Sequence, residues 1–321
     1  MCTMKHDATC RPARRDAYLI LCHDNPAQVN ALARYLVAGG HEVFIHIDAA
    51  CCIHDAVQSG PHIHLLEHTV AVRWGGWEMV QAMLLLMRAA LATGIPYRYM
   101  HLLSGQCLPA KSRKRMENML DEAAAEGKQF IELHRLPAPD RWDGQGGSFR
   151  MKVWYPRCMV SKYDASHKFF WRYTNMWLRL GLKRPGYGLF APYYGGAQWW
   201  SLTAECVRAI CDYDRRHPLM RFFFRNTFCS DEHYLHTCLA RAGFAHAATG
   251  DAARFICWPT PNAPSPRLLC RRDWEPLRHS PCLFARKFSL SPRECEDYFA
   301  WLEREEERNV AGCRRKQGNV Q

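Results

Sequence analysis

Residues 17–48 read AYLILCHDNPAQVNALARYLVAGGHEVFIHID. A buried strand is predicted by the apolar run AYLILC, and a second strand by HEVFIHID. The segment between them, PAQVNALARYLVAGG, predicts a helix that begins at a proline and ends at a glycine pair. A strand, a helix and another strand in this order are typical of an α/β fold with parallel strands.

The same alternation continues along the chain. Further strands are predicted for HIHLLE (62–67), YRYMHLL (97–103) and FIELHRL (130–136), and segments 75–94 and 112–127 have helical spacing. The sequence therefore predicts an α/β fold with a mostly parallel central sheet and helices on both faces.

Three polar residues, His23, Asp48 and Ser104, directly follow predicted strands. Because ligands of such sheets bind at the carboxyl ends of the strands, these residues are expected to line one crevice. Asp48 could accept hydrogen bonds from a ribose or a base, although the spacing alone favours a turn residue. The segment HDNP after the first strand lacks the glycine-rich turn of dinucleotide sites, and no P-loop motif is present, so nicotinamide and triphosphatase chemistry are not expected.

Composition limits the class of protein. The chain has 321 residues, of which 48% are apolar, enough for a large core. Its longest apolar stretch contains Gln81 and Arg88, so no transmembrane helix is expected, and no secretory signal is recognised; the expected compartment is the cytoplasm. The 16 cysteines are scattered, which predicts reduced thiols. A net charge of +12 indicates an anionic partner: nucleic acid, a phosphorylated small molecule or an acidic membrane surface.

The domain organisation is predicted from changes in periodicity. Residues 1–15 are expected to be a flexible segment, residues 16–300 a single domain, and residues 301–321 a charged tail. Within the domain, residues 140–192 are rich in Trp, Tyr, Arg and Gly and predict loops, apart from a helix around residues 166–181.

The stretch FCSDEHYLHTC, residues 228–238, allows two interpretations. With Ser230 as N-cap, Asp231 and Glu232 would occupy the first turn of a helix and stabilise its dipole. Alternatively, Cys229, His233 and His236 could bind zinc, although the pattern matches neither HExxH nor a zinc finger. From this stretch alone, the helix interpretation is favoured.

Five segments occur in an order that resembles a known family: VRWGGWEMVQAML, YRYMHLLSGQCLP, YYGGAQWWSL, SDEHYLHTCL and CLFARKFS. Together they are similar to the core-2/I-branching β-1,6-N-acetylglucosaminyltransferases, glycosyltransferase family 14, which also contains the peptide O-xylosyltransferases. The resemblance covers roughly residues 17 to 290 and implies a single-domain GT-A fold in a soluble, bacterial-type member.

The resemblance also implies roles for individual residues. Glu232 would be the catalytic base, and side-chain cations would replace a metal at the departing diphosphate, so neither metal nor cofactor is expected. Where relatives have an acidic residue in SG-x-D-x-P, this chain has Cys107. The remaining implied roles are UDP binding by His23, Asp48, Lys287 and Arg267 (with Arg271 and Arg272 as alternatives to Arg267), and acceptor or sugar binding by Trp199, Trp200 and Asp231.

The function implied is inverting transfer of N-acetylglucosamine from its UDP conjugate to a sugar hydroxyl, most naturally a 6-OH. Xylosyl or other sugar transfer within the family, a non-catalytic carbohydrate- or nucleic-acid-binding module, and a zinc protein are the alternatives. The expected partners are a UDP-sugar and a glycan acceptor bound by residues 140–192, without nucleic acid. The basic charge leaves open a peripheral contact with the anionic inner face of a membrane.

Overall fold

The computed structural model describes residues 15–156, 167–260, 263 and 265–317. The chain alternates strands and helices through its first 125 residues and becomes less regular afterwards. The strands are β1 (Ala17–Cys22), β2 (Glu42–Ile47), β3 (Ile63–Leu65), β4 (Tyr99–Ser104), β5 (Cys107–Pro109), β6 (His134–Arg135), β7 (Tyr194–Gly195), β8 (Trp200–Thr203), β9 (Arg254–Ile256) and β10 (Phe284–Arg286).

The helices range from one turn to seven turns in length. Three of them, α1, α3 and α7, begin with side-chain caps from Asn25, Ser112 and Thr203. The helices are α1 (Pro26–Val37), α2 (Trp77–Ala92), α3 (Arg113–Ala125), α4 (Asp143–Gly146), α5 (Phe149–Lys152), α6 (His167–Arg179), α7 (Ala204–Arg216), α8 (Pro218–Phe224), α9 (Tyr234–Arg241), α10 (Trp274–His279) and α11 (Pro292–Gln317).

The central sheet has five strands in the order β3-β2-β1-β4-β8. All neighbours are parallel except β8, which runs antiparallel to β4. The predicted fold class and the first four predicted strands are confirmed. The fifth prediction, 130–136, is wrong: there the chain forms only isolated bridges at Gln129 and Phe130 and the two-residue strand β6. β8 takes the edge position beside β4 instead.

Side-chain alternation along the sheet produces two separate cores. Ala17, Leu19 and Leu21 of β1 pack with α2, α7 and α9 on one face. Tyr18 and Ile20 pack on the other face with α1, α3, α10 and α11. Because both faces are covered, the free edge available for ligands is the one at the carboxyl ends of the strands.

The strand order reverses direction between β1 and β4, the position at which open α/β sheets form their ligand crevice. Asp48 N donates to the Cys22 carbonyl oxygen at 2.8 Å, and Gly105 N donates to the Leu21 carbonyl oxygen at 2.9 Å. The carboxyl ends of β1, β2 and β4 therefore lie side by side. Ser104 is the last residue of β4 and is mostly buried, so the prediction that it lines a crevice with His23 and Asp48 is wrong.

A second sheet of three strands, β5-β10-β9, is attached to this edge. β5 follows β4 after a short turn and pairs antiparallel with β10, with Arg286 opposite Cys107. This pairing brings the residue after β10, Lys287, next to the crevice.

One predicted boundary falls inside a helix of the structure. The helix α11 continues from Pro292 through Gln317, across the position at which the tail 301–321 was predicted to begin. The segment predicted as loops contains the short helices α4 and α5 as well as α6, which confirms the predicted helix at 166–181. The predicted flexible segment 1–15 lies outside the described residues except for Arg15. Across the described ranges, every helix falls short of the length and apolarity needed to cross a bilayer.

Candidate active site

Two glycine pairs let three chain segments approach one another closely. Gly75 has a left-handed backbone (φ 70°), and its carbonyl oxygen accepts a hydrogen bond from Cys229 N at 2.9 Å. A β-carbon at Gly195 would lie 2.3 Å from Nδ1 of His233, and one at Gly196 would lie 2.2 Å from a facing backbone oxygen. Glycine is therefore required at both positions for these segments to meet.

The acidic turn, residues 229–232, lies at this meeting point. Cys229 has a left-handed backbone (φ 49°), and Ser230–Glu232 form a single 3₁₀ turn before α9 begins at Tyr234. The predicted N-cap role of Ser230 is therefore wrong. The chain turns before the helix because Cys229 N bonds to Gly75 and the Glu232 carbonyl oxygen accepts from Gly196 N at 3.0 Å.

Glu232 projects from the acidic turn with 32% of its side chain exposed. Nη1 of Arg150, in α5, donates to Oε2 of Glu232 and to Nε2 of His233, the latter at 3.1 Å. Burial opposes the charge of Arg150, but the Glu232 carboxylate outweighs it and holds the pKa of Arg150 above its usual range. Among the described residues, no hydrogen bond occupies Oε1 of Glu232, so one carboxylate oxygen is available to accept a proton.

Asp231 differs from its neighbour because it is buried, with 9% of its surface exposed. Its Oδ1 is enclosed and makes no hydrogen bond to any residue that the structure describes. Burial and the adjacent negative charge of Glu232 raise the pKa of Asp231 to about 7. This interior placement fits a side chain that holds the turn. It does not fit the role in acceptor or sugar binding that the resemblance implied for Asp231.

The histidines beside the acidic turn are buried, neutral supports. His236 Nε2 contacts the Ala197 carbonyl oxygen at 3.1 Å, and burial lowers the pKa of His236 to about 4. Burial and the charge of Arg150 place the pKa of His233 well below its usual value. Within the described ranges, no three His, Cys, Asp or Glu side chains form a metal-holding group, so the zinc interpretation of Cys229, His233 and His236 is wrong.

A single buried amide connects the turn after β4 to the segment after β10. Gln28 is fully buried, and its Nε2 donates to the carbonyl oxygens of Gly105 at 2.6 Å and Phe288 at 3.3 Å. Its Oε1 accepts a hydrogen bond from Leu290 N at 2.8 Å. Gln28 thereby fixes the position of Lys287 relative to the carboxyl end of β4.

Cys107 occupies the place where the related family has an acidic residue. Its side chain is fully buried, and its sulfur lies 3.3 Å from both the backbone nitrogen and Oγ of Ser104. The thiol therefore packs under the turn that follows β4 and does not face the crevice. Ser104 is also mostly buried, with 6% exposed, and supports this turn.

Two cations, Arg286 and Lys287, form what we call the cationic strand end. The Arg286 guanidinium lies 4.1 Å from the centre of the Trp199 ring, and burial lowers the pKa of Arg286. In the part of the chain that the structure describes, Arg286 has no carboxylate partner and its buried Nε has no hydrogen bond. Lys287 Nζ donates to Ser265 Oγ at 2.8 Å. Positive charge held in this way favours an anionic ligand.

Arg267 lies near the cationic strand end but is already paired. Its two Nη atoms donate to the two carboxylate oxygens of Asp273 at 2.8 and 2.5 Å. The alternatives, Arg271 and Arg272, are exposed on the 3₁₀ turn that contains Asp273. Arg286, rather than Arg267, is therefore the cation beside Lys287 that lacks a carboxylate.

The two tryptophans predicted to contact a sugar have different environments. Trp200 is fully buried in the core formed by β4, α2 and α7, so the prediction that it contacts a sugar is wrong. Along β8 the side chains alternate, which directs Trp200 inward. Trp199 is 7% exposed, and one face of its ring is covered by Arg286. Its main structural role is to support that cation.

His23 and Asp48 lie at the mouth of the crevice. His23 is exposed directly after β1. Asp48 Oδ1 accepts hydrogen bonds from Ala50 N at 2.9 Å and from Val72 N at 3.2 Å. Asp48 is thus the turn residue that the spacing favours, and its bond to Val72 anchors the loop leading to Gly75 and the acidic turn.

Arg150, Gln28 and Arg286 are the site residues that the sequence did not identify. Arg286 had a signal, because it immediately precedes Lys287 in FARKF. Gln28 is a polar residue on the buried face of an amphipathic helix, which marks it only as a candidate for an internal hydrogen bond. Arg150 lies in the aperiodic segment, where no pattern distinguishes it from other arginines.

A family model described as Core-2/I-Branching enzyme matches residues 14–289, a range that includes the acidic turn and the cationic strand end. No curated protein matches the chain.

Proposed function

Because the chain belongs to the core-2/I-branching enzyme family, a family of glycosyltransferases, we propose a specific transfer reaction for it. The proposed reaction moves N-acetylglucosamine from UDP-N-acetylglucosamine to a sugar hydroxyl, a 6-OH, with inversion to a β product. One observation carries the proposal: the segment from Gly196 to Trp199 contacts both the acidic turn and the cationic strand end. Gly196 N bonds to Glu232, and Trp199 stacks on Arg286.

The acidic turn supplies the proposed base. Glu232 takes the acceptor hydroxyl proton while the hydroxyl oxygen bonds to the anomeric carbon and the bond from that carbon to the UDP oxygen breaks. The carboxylate is suited to this role because it is partly exposed and Arg150 fixes its Oε2. Asp231, buried behind it, shapes the turn.

The cationic strand end supplies the proposed leaving-group site. In the transition state, negative charge develops on the diphosphate, where Arg286 and Lys287 donate hydrogen bonds from a preorganised position. Two cations at this place support a reaction without a divalent metal, since they can supply the stabilisation that a metal provides in other enzymes of this fold. In this proposal, His23 and Asp48 contact the nucleoside, and Arg267, paired with Asp273, borders the diphosphate site.

The acceptor is proposed to enter from the segment 140–192. This segment delivers Arg150 to Glu232, and Trp142 lies 5.7 Å from His233 between ring centres. The proposed acceptor is a surface glycan assembled on the cytoplasmic face of a membrane, in keeping with the basic charge of the chain.

Two alternatives predict different outcomes. A xylosyltransferase or another sugar transferase of the family would turn over UDP-xylose or another UDP-sugar faster than UDP-N-acetylglucosamine. A non-catalytic carbohydrate- or nucleic-acid-binding module would release no UDP with any donor. A panel of UDP-sugars assayed for UDP release with mixed oligosaccharide acceptors separates these cases.

Calorimetric titration of UDP and UDP-N-acetylglucosamine, first with EDTA and then with Mn²⁺, tests the proposed donor site. We expect binding in EDTA that is little changed by Mn²⁺. Binding that requires Mn²⁺ would contradict the role of Arg286 and Lys287. Absence of binding to either compound under both conditions would contradict the proposed donor.

A further inference from the structure

Exposed apolar side chains are concentrated in one stretch of the chain. Of the twelve large apolar residues that the structure records as exposed, nine lie between residues 154 and 222. We call these nine residues the apolar face; each of them exposes between 40% and 76% of its surface. They are Trp154, Phe169, Trp171, Met176, Leu180, Leu182, Leu189, Leu219 and Phe222. A concentration of this kind marks an interaction surface rather than chance exposure.

An open cavity of about 470 Å³ lies within the apolar face. Four residues of the face converge on it, together with Trp177 and Phe190. The four are Trp154, Leu189, Leu219 and Phe222. Its volume is in the range of small-ligand sites, roughly 300–1,000 Å³. The lining is almost entirely hydrocarbon, which suits an acyl chain better than a sugar or a nucleotide.

Arg184 lies at the floor of this cavity. It is buried and donates to the Asn226 carbonyl oxygen at 2.7 Å and to Thr227 Oγ1 at 2.6 Å. Its guanidinium lies 3.4 Å from the centre of the Phe223 ring. These contacts connect the segment after α6 to α8 and the residues that follow it, which together line the cavity.

The two chain segments that carry most of the apolar face contain basic residues but no acidic ones. The sequence has no Asp or Glu from residue 166 to 204 or from residue 215 to 230. The exposed cations in these ranges that have no carboxylate partner among the described residues are Arg172, Arg179, Lys183, Arg216 and Arg225. Arg172 and Arg179 also line a second depression together with Met176 and Leu180. Cations that alternate with Trp, Phe and Leu in this way are typical of protein segments that lie in the interface of a bilayer.

From these observations we propose that the apolar face docks on a membrane surface rich in anionic phospholipid. Leu189, Leu219 and Phe222 enter the acyl region, with one lipid chain in the cavity, while Arg172 and Arg179 contact lipid phosphates. A second copy of the chain is a poor occupant, because it would bring two sets of unpaired cations together. Docking would place the acidic turn close to the membrane, since Phe222 and Glu232 belong to one short stretch of chain. The proposal does not depend on the transfer reaction.

Flotation with vesicles tests the proposal without donor or acceptor. The full chain is mixed either with phosphatidylcholine vesicles or with vesicles in which about one third of the lipid is phosphatidylglycerol. Since each cation near such a surface contributes about 1 kcal/mol, Arg172→Ser with Arg179→Ser should weaken binding to the anionic vesicles roughly 30-fold. Leu219→Ser with Phe222→Ser should weaken it about tenfold or more.

Matched controls lie outside the apolar face. Lys114→Ser with Arg115→Ser removes two exposed cations, and Leu268→Ser removes a leucine that is 54% exposed. These controls should bind as the unchanged chain does, and every variant should retain its melting temperature, because the substituted side chains are exposed. The proposal is overturned if the unchanged chain binds neither vesicle type or binds both equally. It is also overturned if the control variants lose as much binding as the variants of the apolar face. A concentration-dependent dimer that Leu219→Ser with Phe222→Ser dissociates would assign the face to a second copy instead.

Discussion

The acidic turn and the cationic strand end are the two charged halves of the site, and they differ in whether their charge is balanced. Glu232 is ion-paired with Arg150, and its neighbour Asp231 has a pKa near 7 because it is buried. Arg286 stacks on Trp199 with no carboxylate partner among the described residues. Glu232 thus has its counterion within the protein, whereas the Arg286 guanidinium has none among the described residues and can pair with an external anion.

The largest effect is expected from Glu232→Gln, which would break the acidic half. Loss of a general base should reduce turnover by about 10² to 10⁴, while UDP affinity stays close to its original value. UDP release measured over a range of donor concentrations separates the two quantities. Glu205→Gln changes an exposed glutamate elsewhere and should be fully active. Near-normal turnover in Glu232→Gln would remove that residue from its proposed role.

The next effect concerns the cationic half. Lys287→Ala and Arg286→Ala should each weaken UDP binding by about 10- to 100-fold, because charge-assisted hydrogen bonds contribute roughly 1.5–3 kcal/mol. Calorimetry in EDTA measures this directly, with Lys114→Ala as the exposed cation control. If UDP affinity is unchanged in both variants, the diphosphate binds elsewhere.

A smaller effect should come from Arg150→Gln, which removes the counterion of the acidic half. Without Arg150, Oε2 of Glu232 loses the donor that fixes its position, and a hydrogen bond to a charged group contributes roughly 1.5–3 kcal/mol. Turnover at saturating donor should therefore fall about tenfold while UDP affinity stays unchanged, which UDP release and calorimetry measure separately. Arg208→Gln replaces an exposed arginine of α7 and should leave both quantities unchanged. Turnover equal to that of the unchanged chain would contradict the positioning role of Arg150.

The smallest effect is expected from Asp231→Asn. Because the pKa of Asp231 is raised to about 7 in the folded protein, the folded state keeps a proton that the unfolded state loses above about pH 4. The contribution of Asp231 to the free energy of unfolding therefore falls as pH rises from about 4 to 7. The asparagine of Asp231→Asn has no such proton to lose. The melting temperature of Asp231→Asn minus that of the unchanged protein should therefore increase by a few degrees between about pH 4 and pH 7. Asp55→Asn, which changes an exposed aspartate, is the control. If the melting-temperature difference for Asp231→Asn does not change with pH, the conclusion that Asp231 is buried and protonated is contradicted.

The fold could be predicted from the sequence as far as its periodicity was clear. Four strands and the crevice at the ends of β1, β2 and β4 follow from apolar runs separated by helices. The fifth strand was misplaced, since FIELHRL alternates like a strand but lies where only short bridges form. Strand pairing depends on contacts between distant segments, such as that of β4 with β8, which no local pattern contains.

The site was predictable only in part, for a similar reason. Motifs identified Glu232 and Lys287 because they occur in short stretches that resemble the family. The ion pair of Arg150 with Glu232 joins residues 82 positions apart, and the bonds of Gln28 to Phe288 and Leu290 join residues about 260 apart. The burial of Trp200 could not be distinguished from that of Trp199, because adjacent residues in a strand face opposite sides and the register was not known.

The order β5-β10-β9 has a consequence for biosynthesis. The last strand to leave the ribosome, β10, occupies the middle of this small sheet, so β5 and β9 cannot be joined until it arrives. The acidic turn is translated some fifty residues earlier, at 229–232. A nascent chain can therefore possess its acidic half before its cationic half exists. Any chain that terminates before residue 284 would lack the centre of this sheet and carry two unpaired strand edges, which would mark it for aggregation or degradation rather than partial activity.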